Sequence, residues 1–217
     1  MTPIQELESN LKSALTDPER MDLMLQLIQL VRNNDPVKAE NYCNELLALA
    51  EKNENSFFRA GALRFLGTLA EQKTDYPKAI RYNLEAKTLY TELNLPSDIV
   101  SCNNQLGKTY ANLGDYSKAI DFFDESLRLS STIEDKASEA GTLNALSVLY
   151  QRSGNSEKAE ELALKSIVLS EKSGNKRLWA ISKINLGNAY GVRMEWDKAI
   201  SVWEESIEIF RQLGEPQ

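Results

Sequence analysis

GDYSKAIDFFDESL, running from Gly114 to Leu127, returns in altered form four more times along this chain. Its Lys-Ala pair stands at 38–39, 78–79, 118–119, 158–159 and 198–199, always 40 residues apart. Four residues before each Ala comes a short polar or acidic residue: Asp35, Asp75, Asp115, Asn155 or Glu195. Asp and Asn cap a helix start, because their side-chain oxygens accept the free N–H groups of the first turn. Glu195 is the weak member of the set. Twelve residues before the Ala stands Leu27, Gly67, Gly107, Ser147 or Gly187, and nine before it Leu30, Ala70, Tyr110, Tyr150 or Tyr190. Leu, a small residue and Tyr at i, i+1 and i+4 share one helix face. The small residue marks a close helix crossing.

The half-unit after the Lys-Ala pair is helical too. Leu49, Leu89, Leu129, Leu169 and Ile209 recur ten residues beyond the Ala. Gly114 and Gly154 fall between the two halves, where a tight turn is needed. Polar linkers are expected at NENS (53–56), NLPSD (94–98), EDK (134–136) and SGNK (173–176). Each unit is thus a helix–turn–helix pair, and internal repeats at such a period mean a stacked array.

The repeat resembles the tetratricopeptide repeat. NNQLGKTYANLGDYSKAIDFF (103–123) carries the pattern most fully, and INLGNAYGVRMEWDKAISVW (184–203) and LRFLGTLAEQKTDYPKAIRY (63–82) follow it. Two departures stand out. The period is 40 rather than about 34 residues, and Glu51, Thr91, Ser131, Glu171 and Arg211 replace the closing proline. Both point to the longer-helix variant of the family.

The resemblance implies an all-α fold, a right-handed superhelical solenoid of stacked antiparallel helix pairs. Residues 1–17 would form an N-terminal capping helix. The array would occupy 18–217, in units of about 18–55, 56–95, 96–135, 136–175 and 176–217.

It also implies that the first helices of the pairs bind a protein or peptide. Carried over by position, the binding face comprises Arg64, Thr68, Asn104, Gln105, Lys108, Asn112, Asn144, Arg152, Asn185 and Asn188. Amides donate and accept together, which suits a peptide backbone, and the cations suit a carboxylate. The two-cation clamp of some family members is not reproduced. PERMDLMLQLIQLVRNNDPVKAENYCNELLALAEK (18–52) resembles the opening of bacterial sensor proteins, whose array precedes a nucleotide cyclase, diguanylate cyclase or histidine kinase domain. A regulatory, cytoplasmic signalling role is the expectation. A response-regulator phosphatase is less expected, because only one short helix precedes the repeats.

Composition narrows the chemistry. The net charge is −7, and residues 1–56 hold ten acids against five bases. No basic block exists to displace counterions from phosphates, so nucleic acid is not an expected partner. Nor is a membrane: the apolar stretch 24–31 is far too short to span one. There is no His, which removes the commonest general base and metal ligand. Cys43 and Cys102 are distant and sit among helical residues, so they read as buried thiols. No phosphate-binding glycine motif is present. The expectation is a non-catalytic scaffold with no cofactor and no metal.

The aromatics Tyr110, Tyr150, Tyr190, Phe122, Phe123, Trp196 and Trp203 fall at core-like spacing, and Trp179 is expected to be partly exposed. The last helix carries apolar residues seven apart, Ile200 with Ile207 and Trp203 with Phe210. Such a stripe is wider than one neighbour covers. Either the chain continues as a longer protein, or Trp203, Ile207 and Phe210 join two copies in a homodimer.

Overall fold

The computed structural model describes residues 2–214. Among them are eleven helices and no strand: α1 (Pro3–Ser13), α2 (Asp17–Val31), α3 (Pro36–Lys52), α4 (Ser56–Gln72), α5 (Tyr76–Glu92), α6 (Pro96–Asn112), α7 (Tyr116–Thr132), α8 (Lys136–Arg152), α9 (Ser156–Lys172), α10 (Lys176–Val192) and α11 (Trp196–Gln212). The expected range 18–217 ends outside the described residues. From α3 onward every helix has 17 residues. Every linker from there on is three residues long, and the expected ones move or shorten because the helices begin at Ser56, Pro96, Lys136 and Lys176.

The local chemistry of each boundary explains this regularity. The side chains of Asp35, Asp75, Asp115 and Asn155 each accept from the N–H three residues on. Glu195 makes no such bond, because its longer side chain does not fit the cap geometry. Asn55, Asp135 and Asn175 cap the intervening helices in the same way.

Each linker has a left-handed residue at its centre: Glu54, Thr74, Asn94, Gly114, Glu134, Gly154, Gly174 and Met194, followed by Gly214 after α11. The backbone repeat is therefore 20 residues, half the sequence repeat. The N–H groups around this residue close each helix end. Thr74 donates to Glu71 (2.8 Å) and Asp75 to Ala70 (2.9 Å), the paired bonds of a Schellman cap.

The chain divides into two compact units at Thr109–Tyr110, inside α6. In the first, α1 lies against α2, and the packing then runs α2–α3–α4–α5. Its core joins Met21, Met24 and Ile28 of α2 to Cys43 and Leu46 of α3 and Phe65 and Leu69 of α4. Ile4 and Leu11 of α1 pack on that core, and Tyr42 donates to Glu8 at 3.1 Å. In the second unit α7 to α11 pack in chain order, and α8 also touches α10. Phe123, Leu143, Leu146, Leu149 and Leu162 form its core, flanked by Tyr110 and Tyr150. Three-residue linkers leave consecutive helices no option but to run antiparallel. Each odd-numbered helix from α3 is thus the second member of a pair, and each even-numbered helix the first.

The sequence marker is explained by burial. Ala39, Ala79, Ala119, Ala159 and Ala199 are all fully buried. The small residue of the first helix meets the second helix of its own pair. A Cβ on Gly67 would come within 2.3 Å of the Asn83 amide nitrogen, and one on Gly187 within 2.4 Å of Trp203 Nε1. Ser147 reaches across to the Ala159 carbonyl at 2.7 Å.

Cys43 and Cys102 are buried and free, as expected. Two assignments, one aromatic and one aliphatic, differ from expectation. Trp196 is 55% exposed, because it opens α11 beside the linker. Leu30, the counterpart of Ala70, Tyr110, Tyr150 and Tyr190, is also exposed. Glu160 is half-buried and paired with Arg193 at 2.5 Å.

Candidate peptide-binding face

The expected binding residues lie on the first helices of the pairs, and the structure links many of them to one another. In the first unit Thr68 of α4 donates to the Arg64 carbonyl (3.2 Å) and accepts from Gln105 of α6 (2.9 Å). Arg64 stacks over Phe65, its guanidinium carbon 4.4 Å from the ring centroid, and hydrogen-bonds Tyr90. Burial pushes the Tyr90 hydroxyl up to about 12, against the pull of Arg64. Lys108 is exposed and Asn104 half-buried.

In the second unit Arg152 donates to Asn112 at 3.0 Å. Asn185 donates to Asn144 (3.1 Å), and Asn144 donates to Ser182 (2.9 Å). Asn188 is half-buried. These bonds join residues 37 to 41 apart, so they form a ladder between successive first helices. Asn144 and Asn185 are 5% and 8% exposed. Their amides are spent between helices and present little surface. Arg152, Asn112, Asn188, Lys108 and Arg64 keep more contact with solvent.

A buried seam extends the ladder inward. Ser166 donates to the Ala140 carbonyl (2.7 Å) and meets Ser182 at 2.9 Å, while Ser126 meets Thr142 at 3.0 Å. Ser206 repeats the pattern on Ala180 at 3.1 Å. Sequence reading overlooked this column, although Ser126, Ser166 and Ser206 recur at the 40-residue period. It also overlooked Arg32, which shares the column of Gln72, Asn112 and Arg152.

On α11, Ile207 is 43% exposed, whereas Trp203 and Phe210 are half-buried. Trp203 is engaged with Gly187 and Gly191 of α10. Ile200 and Trp196 share the exposed face with Ile207.

No set of His, Cys, Asp and Glu among the described residues could hold a metal ion. No described helix is long and apolar enough to cross a membrane.

The described residues thus form helix pairs whose first helices carry rungs of inter-helix polar bonds. Residues 98–172 match the family model of the tetratricopeptide repeat, and the described residues as a whole share the fold of solved helix-pair repeat structures. These superpose on nearly all of the chain. BtubC (BKLC) from P. vanneervenii matches with TM-score 0.77 at 19% identity, over 99% of this chain and 92% of that one. A Rap protein complexed with competence and sporulation factor matches with TM-score 0.83 at 15% identity, over 96% of this chain and 57% of that one. NprR in complex with its cognate peptide NprX matches with TM-score 0.64 at 16% identity, over 94% and 60% respectively. No curated protein matches the sequence.

Proposed function

We propose that this chain is a non-catalytic scaffold that binds a peptide segment of a partner along its first helices, as the regulatory part of a bacterial signalling system. The observation that carries this reading is the inter-helix ladder. Arg152–Asn112 and Gln105–Thr68 hold polar side chains of successive first helices in fixed positions. Fixed donors cost less entropy on binding than mobile ones. Two of the solved structures that share the fold are complexes, of a Rap protein with competence and sporulation factor and of NprR with its cognate peptide NprX.

The test is a fluorescence-polarisation screen of capped 12-residue peptides against the full chain. Hits should weaken at least about tenfold, roughly 1.4 kcal/mol, in Lys108→Glu and in Arg152→Glu with Asn188→Asp. Helical circular dichroism should be unchanged. Hits indifferent to all these changes would place binding elsewhere.

A second reading is homodimerisation through α11, favoured by the exposed row Trp196, Ile200 and Ile207. Exposed apolar patches of this kind mark contacts. Ile200→Asp with Ile207→Asp probes it without disturbing Trp203, which is engaged with α10. A dimer seen by sedimentation should become monomeric. A wild-type monomer at high concentration sinks this reading.

A further inference from the structure

Arg32, the residue that caps the C-terminus of α2, and Arg64 of α4 both address the buried ring of Phe65, with guanidinium carbons 5.4 and 4.4 Å from its centroid. Like charges gathered in a partly buried place repel more strongly than they would in water. The Nε–H of each is shielded from solvent and has no hydrogen-bond acceptor. Each Nε–H has therefore lost water without gaining an acceptor, although the Arg64 guanidinium also bonds Tyr90, and native structures rarely leave such a group unexplained.

Burial, and then the charge of Arg64, lowers the pKa of Arg32 from its usual value. Asp98 of α6 lies within electrostatic reach of Arg64, and burial pushes its carboxyl up against that attraction. Two cations and one anion leave a local surplus of one positive charge.

We propose that Arg32 and Arg64 seat a single carboxylate, that of an Asp or Glu side chain in the bound peptide, with Phe65 as the apolar wall. The proposal rests on the peptide-binding reading above and names the chemistry at one end of it. Planar guanidinium forks match a planar carboxylate. One surplus charge fits a monoanion. A phosphate dianion would overcompensate it and meet repulsion from Asp98.

The experiment follows the arginine Nε–H resonances of the full chain by NMR. The probes are sodium acetate, sodium chloride at equal ionic strength, and one peptide hit in its Glu, Gln and phosphoserine forms. Acetate and the Glu peptide should shift the Arg32 and Arg64 signals saturably, and chloride should not. Arg32→Gln should weaken the Glu form about tenfold and leave the Gln form unchanged. The same variant without ligand should melt roughly 2 °C higher than the wild type, because an unpaired charge is gone.

An unchanged or lower Tm overturns the unpaired-charge basis, and a phosphoserine form tighter than the Glu form overturns the carboxylate. If peptides bind and respond to Arg152→Glu with Asn188→Asp while Arg32→Gln changes nothing, the carboxylate seat falls and the peptide-binding reading stands. If acetate shifts both arginines but no peptide binds in the screen, the peptide-binding reading falls and takes the peptide source with it.

Discussion

Trp203 fills the space that a side chain on Gly187 would need: its Nε1 lies 2.4 Å from where a Cβ would be. The pair closes α10 against α11. Gly in a helix interior costs about 1 kcal/mol relative to Ala, so its presence here needs a reason, and the indole supplies it. Gly187→Ala gains that propensity but overpacks the crossing, at a cost of about 1–3 kcal/mol. The net expectation is a lower urea midpoint and altered tryptophan fluorescence. Gly187→Ala with Trp203→Leu should recover most of the loss. A single variant as stable as wild type would show that the indole moves aside freely.

Thr74 holds the left-handed position between α4 and α5, at φ 59°. A β-branched residue is poorly suited to that region, and Gly escapes a strain of about 1–2 kcal/mol. Thr74→Gly should raise the midpoint, less the entropy that glycine adds to the unfolded chain. Gly154→Thr should do the reverse at the equivalent linker. Both are read by chemical denaturation.

Asn103 is fully buried and neither atom of its amide has a hydrogen-bond partner. The equivalent positions 40 residues away hold Leu63 and Leu143, both buried. An unsatisfied buried group costs about 1–3 kcal/mol, and an apolar replacement of similar shape removes that cost. Asn103→Leu should therefore raise the midpoint. A fall would mean that a buried water satisfies the amide.

Cys43 and Cys102 have thiols pushed up to about 12, chiefly by burial. The thiolate is the reactive form. The native protein should resist a thiol-reactive disulfide reagent at pH 8 and react fully in denaturant. Both lie in the first unit, so native-state labelling should follow the rate at which that unit opens.

Glu161 is held down to about 2 by hydrogen bonds from Lys158 and Lys165. Its folded value lies below the ordinary 4.5, so its contribution is present above about pH 4.5 and is lost as pH falls through about 2. The site is fully exposed, so the effect on stability is small. Carboxyl NMR should show Glu161 titrating well below the ordinary 4.5, and Lys165→Met should raise its midpoint.

The periodic features were legible in the sequence because their causes are local. An Asp caps the helix that follows it, and an alanine every 40 residues is small because a neighbouring helix crosses there. The all-α repeat fold follows from those two facts together with the Leu-Gly face. The 20-residue backbone repeat was harder to see. Glu54, Thr74 and Met194 occupy a conformation that only glycine announces, so most linkers gave no signal of it. The binding face was legible as a list of polar positions, but not as an arrangement. Asn144 and Asn185 read as surface amides, yet they bond to each other.

By itself, then, the chain's sequence determined where each helix starts, which face is apolar and how often the unit recurs. These are set by contacts within a few residues or by one helix period. Tertiary structure alone decided which polar side chains remain available. That depends on how closely successive first helices approach, which brings residues 37 to 41 apart within hydrogen-bonding distance. It also brought Arg32 and Arg64 to one phenylalanine ring, 32 residues apart in sequence, through the packing of α2 against α4.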